Sequence, residues 1–378
     1  MKWTAKNLPK QMHRSLRMLS LAEIQKLSEL FRQEKQLTEQ IDFLQERGDD
    51  FLKIYGHHLI GEPQYWGAFK EGLLAGFMGS IPTAVQNPFS EFGSALETDL
   101  FIVPQARQSN LVGRLFLGRI SSYAYDNPSK APMLFGVEQI PDTLETLCRL
   151  IPDKEGWVRL KLNTKLTQVF FTSKIETVAD RQVQSKKLID LPNSLLTQWL
   201  EMYSASRKDC FLSPIITAQT IAGLIVLDPD CEFIYIENQG QLVAGTLLLE
   251  QSRARQLLWP AKPSLLRARL QKIYQPPPVS GSEIKLGLIS LSVDEKNGLS
   301  RELRMVFESL HSRAVSRGLH GVAFRDEAPS AIAKLSMDQF EFARRVLVSY
   351  SKHFSQKSQL DRALEQGHLR VRLENCFL

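Results

Sequence analysis

Hydrophobic and polar positions change period several times along the chain, and those changes divide it into elements. Residues 20–36, SLAEIQKLSELFRQEKQ, place Leu21, Ile24, Leu27, Leu30 and Phe31 at helical spacing, behind a serine with glutamate three residues later. That is the pattern of a capped helix. Residues 14–19 before it read as a short strand. Residues 66–80, WGAFKEGLLAGFMGS, are strand-like on both sides of Lys70-Glu71-Gly72. They predict a β-hairpin, because glycine supplies the positive φ that a tight turn needs. Residues 233–250, FIYIENQGQLVAGTLLLE, repeat the punctuation around Asn238-Gln239-Gly240. Gly72 and Gly240 lie 168 residues apart, and Gly76 and Gly245 lie 169 apart.

The sequence after each hairpin matches in kind. After the first come a strand at 98–103, a helical pattern over about 111–125 and the apolar run 133–137. After the second come 286–293, a helical pattern at 299–317 and the run 320–324. A duplicated unit of hairpin, strand, helix and strand is the simplest account, and it predicts a mixed α/β fold. Residues 156–172 alternate on both sides of Asn163-Thr164 and read as a hairpin closing the first unit. Residues 340–350 and 368–374 close the second. The polar stretch 173–187 marks a boundary near residue 175, giving domains of 1–175 and 176–378. The proline-rich stretch 275–282 reads as a surface connection or as a cap over a cleft.

Composition narrows this only modestly. A chain of 378 residues, 43% hydrophobic and 23% charged, suits two folded domains. Its 47 basic and 41 acidic residues give a net charge of +6, which permits an anionic partner without requiring one. Cys148, Cys210, Cys231 and Cys376 have no CxxC spacing and no histidine at ligand distance, so reduced thiols and no metal are expected. The basic start MKWTAKNLPKQMHRSLRMLSL lacks a signal-peptide core, and no run approaches the ~18 apolar residues of a membrane span. The expectation is a soluble, cytoplasmic protein with no membrane contact.

The order of elements and three short stretches carry a family resemblance. Residues 103–115, VPQARQSNLVGRL, are similar to a strand ending in V-x-P, then Arg or Gln, two variable residues, Gly, one variable residue, and Gly or Ala before a helix. The hairpins GAFKEGLLAGFM and YIENQGQLVAGTL look like the second and third strands of the same family. Each half resembles a GCN5-related N-acetyltransferase (GNAT) domain, which implies two tandem domains, each a mostly antiparallel central sheet flanked by helices. The resemblance implies acetyl-CoA, or another acyl-CoA, as co-substrate, and acyl transfer to the amine of a small molecule or a protein. Phe101, Ile102 and Val103 would present their backbone to pantetheine. The pyrophosphate would meet Arg107 at the Arg/Gln position, then Gln108, Ser109, Asn110 in place of the first glycine, Leu111, Val112 in place of the second, Gly113 and Arg114. The physical requirement is plain: backbone amides at a helix N-terminus hold phosphate, glycine allows close approach, and arginine adds charge. In the second half the matching stretch, VDEKNGL at 293–299, puts Asp294 and Glu295 where the diphosphate would lie. The first half is therefore the expected cofactor site.

Acyl transfer to an amine also needs a base. Strand alternation groups Glu97 and Asp99 with Phe101 and Val103 on one face, and Glu138 ends the following strand, so these three carboxylates are the candidates. The tyrosine of the family's L-Y-x-x-x-G-F helix is missing from both halves. His57, His58, Tyr65 and Trp66 read as acceptor-side residues or as a surface loop with a buried aromatic. The basic stretch SLLRARLQK at 264–272, with Arg253 and Arg255, reads as a solvated helix face or as a contact for RNA or an acidic protein. Without interleaved aromatics, nucleic acid is not the expected partner. Two other functions fit the same resemblance: a non-catalytic sensor, and a tandem transferase that uses charged tRNA.

Overall fold

The computed structural model describes residues 16–27, 30, 36–38, 43–47, 63–86, 91–103, 106, 115, 133–137, 157–170, 182–207, 210, 211, 213–250, 255–259, 268, 271, 272, 274, 279, 282–294, 300–325, 338–351, 362, 370 and 371. The first half runs β1 (Leu16–Met18), α1 (Leu21–Gln25), β2 (Gln36–Thr38), β3 (Phe43–Arg47), β4 (Gln64–Lys70), β5 (Leu73–Gln86), β6 (Glu91–Ile102), β7 (Met133–Val137) and β8 (Trp157–Phe170). The second opens with β9 (Val183–Lys187), α2 (Asn193–Arg207), β10 (Cys210–Phe211), β11 (Ser213–Pro214) and α3 (Ala218–Leu227). It continues with β12 (Glu232–Asn238), β13 (Gln241–Glu250), β14 (Arg255–Leu258), β15 (Glu283–Ile284) and β16 (Leu286–Asp294). It ends with α4 (Arg301–Ser316), β17 (Gly321–Arg325), β18 (Asp338–Ser351) and β19 (Arg370–Val371).

The predicted cap on α1 forms: Ser20 Oγ accepts the Glu23 N–H, and the Glu23 carboxylate accepts the Ser20 N–H at 2.8 Å. The strand β2 already begins at Gln36, the residue expected to end that helix. Both predicted hairpins form, and they repeat in detail. Each turn holds two residues of positive φ, Glu71-Gly72 in β4–β5 and Gln239-Gly240 in β12–β13. Each is followed by a register shift at the same place, Ala68/Phe69 in one and Ile236/Glu237 in the other. Ala68 faces Gly76, and Ile236 faces Ala244. The constant offset is therefore 168, and Gly245 corresponds to Phe77 rather than to Gly76.

A thirteen-stranded sheet runs β1-β4-β5-β6-β7-β18-β8-β17-β16-β13-β12-β9, with β11 added alongside β5. The expected hairpin at 156–172 is instead the single strand β8. Asn163-Thr164 lacks a glycine, and all fourteen positions pair with β18 on one side while Leu166–Phe170 also pair with β17 on the other. Thr164 faces Arg344, and the pairing is symmetric about that point: Leu166↔Phe342 has its image in Leu162↔Val346. The strand order mirrors about β18 and β8, with β7, β6, β5 and β4 on one side matched by β17, β16, β13 and β12 on the other. The strand β18 likewise pairs with β7 of the first half, and β19 pairs with β10 instead of closing the second unit. Residues 183–187, expected in the linker, form the edge strand β9, whose Lys186 and Lys187 face solvent.

One core cluster joins α1, α2 and α3 to a single face through Ile24, Tyr65, Phe77, Trp199, Leu224, Phe233 and Leu247. Helix α4 covers the opposite face with Leu303, Val306, Phe307, Leu310 and Ala314, the amphipathic spacing that its sequence predicts. Each such large side chain contributes about 1.5–3 kcal/mol on full burial. A smaller sheet, β15-β14-β3-β2, ties the halves together again, with Leu258 facing Leu44.

Candidate functional site

Both central strands part from a neighbour at the same point. The strand β6 pairs with β7 in parallel only as far as Leu96↔Phe135, and β16 pairs with β17 only as far as Leu288↔Ala323, although all four continue. Three residues later each central strand bulges: Asp99 has φ 51° and Leu291 φ 52°. Met78 faces two residues there, between Phe77↔Phe101 and Gly79↔Thr98. Thr246 does the same between Gly245↔Val293 and Leu247↔Ser290. Left-handed geometry at a non-glycine residue costs about 1–3 kcal/mol, and a bulge bends its strand. Since β6 and β16 run antiparallel within the sheet, the two openings face opposite edges.

In the first half a polar couple occupies the bulge. The Tyr65 hydroxyl donates to Asp99 Oδ2 at 2.7 Å, and both residues are buried, at 0% and 8% exposure. The ring of Tyr65 lies against Gly79, where a Cβ would come within 2.8 Å of it. Phe77 stacks on Phe101 at 5.2 Å, and this group shares its cluster with Leu19, Ile24 and Leu27. Leu96 and Phe101, five residues apart, also share it, so the bulge breaks the alternation that groups positions 97, 99, 101 and 103 on one face. Past the bulge, the Val103 N–H donates to the Ala75 carbonyl at 3.0 Å, and the Ala106 N–H to the Val103 carbonyl at 2.9 Å. Ala106 and Leu115 are buried in one cluster with Leu16, Ala68 and Ala75, which anchors the chain on both sides of 107–114.

Of the sequence-predicted residues, Asp99 and Phe101 are buried here, and Ile102 and Val103 are half-buried beside them. The backbone of Glu97 pairs with Ser80. The side chain of Glu97, and the whole of Glu138, His57, His58 and Arg107 to Arg114, lie outside the described residues. Trp66 is half-buried beside the Ala106–Leu115 cluster.

In the second half the same positions are satisfied from within. Phe233 and Leu291 stand where Tyr65 and Asp99 stand in the first half, so the polar couple is replaced by an apolar one. The Leu291 carbonyl accepts from Trp199 Nε1 at 3.1 Å, and the Ser292 carbonyl accepts from Arg207 Nη2 at 3.1 Å. Thr246 and Ser292 bond through their hydroxyls at 2.7 Å. Asp294 Oδ2 accepts the N–H of Ser300, the N-cap of α4, at 2.7 Å. The carbonyls beyond the parting point can accept from a ligand's N–H groups, and the N-terminus of α4 can hold an anion. Here they bond to this chain's own side chains. The acid at 294 is evident in the sequence, whereas the role of α2 is not, although Leu195, Trp199, Tyr203 and Arg207 recur every fourth residue.

Among the described residues no three His, Cys, Asp or Glu side chains are grouped to hold a metal ion. No helix among them is long and apolar enough to cross a membrane. Cys210 and Cys231 are buried, and burial pushes the Cys231 thiol pKa up to about 12.

The sequence matches no family model and no curated protein. Solved structures do match. A GCN5-related N-acetyltransferase from Anabaena variabilis aligns with 88% of this chain and 72% of its own at TM-score 0.50 and 12% identity. The N-myristoyltransferase of Saccharomyces cerevisiae with bound myristoyl-CoA aligns with 92% of this chain and 82% of its own, at TM-score 0.60 and 9% identity. A glucosamine N-acetyltransferase region in a fungal multi-domain β-N-acetylglucosaminidase aligns with 89% of this chain and 38% of that longer one, at TM-score 0.52 and 9% identity. At such identities the likeness speaks to the fold. It shows that this chain has the fold of the GCN5-related N-acetyltransferases, with the unit of hairpin, bulge and parting strands occurring twice in one continuous sheet.

Proposed function

We propose that the chain is an acyl-CoA-dependent N-acyltransferase with one working cleft, between β6 and β7. The observation behind this reading is the unequal fate of two equivalent bulges. The second is closed by Trp199, Arg207 and Asp294, and the first keeps a buried carboxylate and phenol. Acyl-CoA fits the first half: its pantetheine would lie along Phe101, Ile102 and Val103. Its pyrophosphate would meet the amides of 107–114, with Arg107 and Arg114 supplying charge. It does not fit the second, where the Asp294 carboxylate already holds the cap of α4.

Asp99 is the base this geometry favours, since it sits on the bulge three residues beyond the parting point. The acceptor nitrogen attacks the thioester carbonyl, and a C–N bond forms as the C–S bond breaks. Asp99 takes the proton that the nitrogen loses, and the thiolate leaves with a proton returned to it, so protons and charge balance. Acetyl-CoA is the simplest donor, and the acceptor is an amine of a small molecule or protein. We place the reaction in the cytoplasm.

The test is thiol release from acetyl-CoA and from myristoyl-CoA in the presence of glucosamine, spermidine or a lysine peptide. Transfer by the wild type, with kcat lowered about 100-fold or more in Asp99→Asn, supports the assignment. Binding of the donor without transfer favours the sensor reading instead. Neither binding nor transfer overturns both.

A further inference from the structure

We infer that Tyr65 is a positioning residue for the Asp99 carboxylate, an inference that rests on the reading of Asp99 as the base. A carboxylate on a bulge has two torsions to settle, and a base is effective only when its accepting oxygen is held where the proton leaves. Tyr65 supplies that restraint. Its hydroxyl donates to Oδ2 at 2.7 Å, which restrains the rotation of the carboxylate. The phenol is itself immobile: Tyr65 is fully buried, its ring rests against the bare backbone of Gly79, and Phe77 packs at 6.4 Å.

The duplicated half provides an internal control. At the position equivalent to Tyr65 stands Phe233, and at the position equivalent to Asp99 stands Leu291. The hydroxyl and the carboxylate are present together in one copy and replaced together in the other. Phe233 is fully buried in the same core, so the fold accepts a phenylalanine at this strand position without the hydroxyl. A tyrosine needed only for packing would not require its oxygen.

The experiment compares wild type, Tyr65→Phe, Asp99→Asn and the double variant, using acetyl-CoA and whichever of glucosamine, spermidine or lysine peptide the wild type acylates. Tyr65→Phe is expected to lower kcat about 10-fold or more while leaving KM for acetyl-CoA within about twofold, because the phenol touches the base and not the donor. In the double variant the Tyr65→Phe change adds less than about twofold to the loss from Asp99→Asn, since a residue acting through Asp99 has nothing left to position. Circular dichroism melts check that both single variants fold.

A Tyr65→Phe variant with kcat within about twofold of wild type overturns the inference. So does a double variant whose losses multiply. Both outcomes leave the acyltransferase reading standing. A wild type that acylates none of the probes removes the acyltransferase reading, and the inference falls with it.

Discussion

Replacing Trp199 with phenylalanine tests the claim that the second cleft is closed from within. The indole is fully buried, packs on Phe233 at 4.4 Å and donates Nε1–H to the Leu291 carbonyl at 3.1 Å. Phenylalanine keeps an aromatic ring against Phe233 but has no donor. The Leu291 carbonyl belongs to a fully buried residue already held at φ 52°, and losing one hydrogen bond to it costs about 0.5–1.5 kcal/mol. The missing ring atoms add up to about 1 kcal/mol through the gap they leave. The expected loss is therefore about 0.5–2.5 kcal/mol, which a protein with about 5–15 kcal/mol of stability survives. Urea unfolding followed by far-UV circular dichroism measures it without relying on the indole that has been removed. Acetyl-CoA affinity should not change, because the variant lies in the other half. A loss below about 0.5 kcal/mol would show that the indole does not hold the carbonyl. Weakened acetyl-CoA binding would show that the ligand uses the second cleft.

The remaining predictions concern the far end of the same half, where β16 and β17 are still paired. Arg317 donates to Asp228 Oδ2 at 2.8 Å and to the Leu248 carbonyl at 3.1 Å, with both side chains of the ion pair about nine-tenths buried. Arg317→Met leaves the carboxylate without its cation and should cost about 3–5 kcal/mol in urea unfolding, part of which Asp228→Asn restores. An unchanged midpoint would contradict this. Burial holds the His320 imidazole below its ordinary pKa, and its Nδ1 accepts the Lys285 N–H at 3.0 Å. A depressed histidine stabilises the fold fully above the unfolded value of about 6.5, and that contribution is lost as pH falls below it. Between about pH 7.5 and about pH 5.5 the urea midpoint should fall further in wild type than in His320→Asn, and equal falls would count against the assignment.

Local chemistry made much of the fold legible in the sequence. The Ser20–Glu23 box, the two glycine turns and the period of α4 each depend on residues close in the chain, and each appears as read. The exchange of β8 and β18 was not legible. An alternating run is satisfied equally by a hairpin or by one long strand, and the choice depends on partners more than a hundred residues away. Asp99 was named from its place on the central strand. Its bond to Tyr65 depends on a bulge that reverses alternation, and no residue type announces one at Asp99 or Leu291. Helix α2 had a clear four-residue recurrence, and what hid its role was that Trp199 and Arg207 look like ordinary core and surface residues until the parting strand is known.

The central claim is one acyl-CoA per chain, held in the first half. Isothermal titration with acetyl-CoA tests it most directly. A stoichiometry of one is expected, abolished by Gly113→Asp and unchanged by Trp199→Phe. Two molecules bound per chain, or one that survives Gly113→Asp, would contradict it.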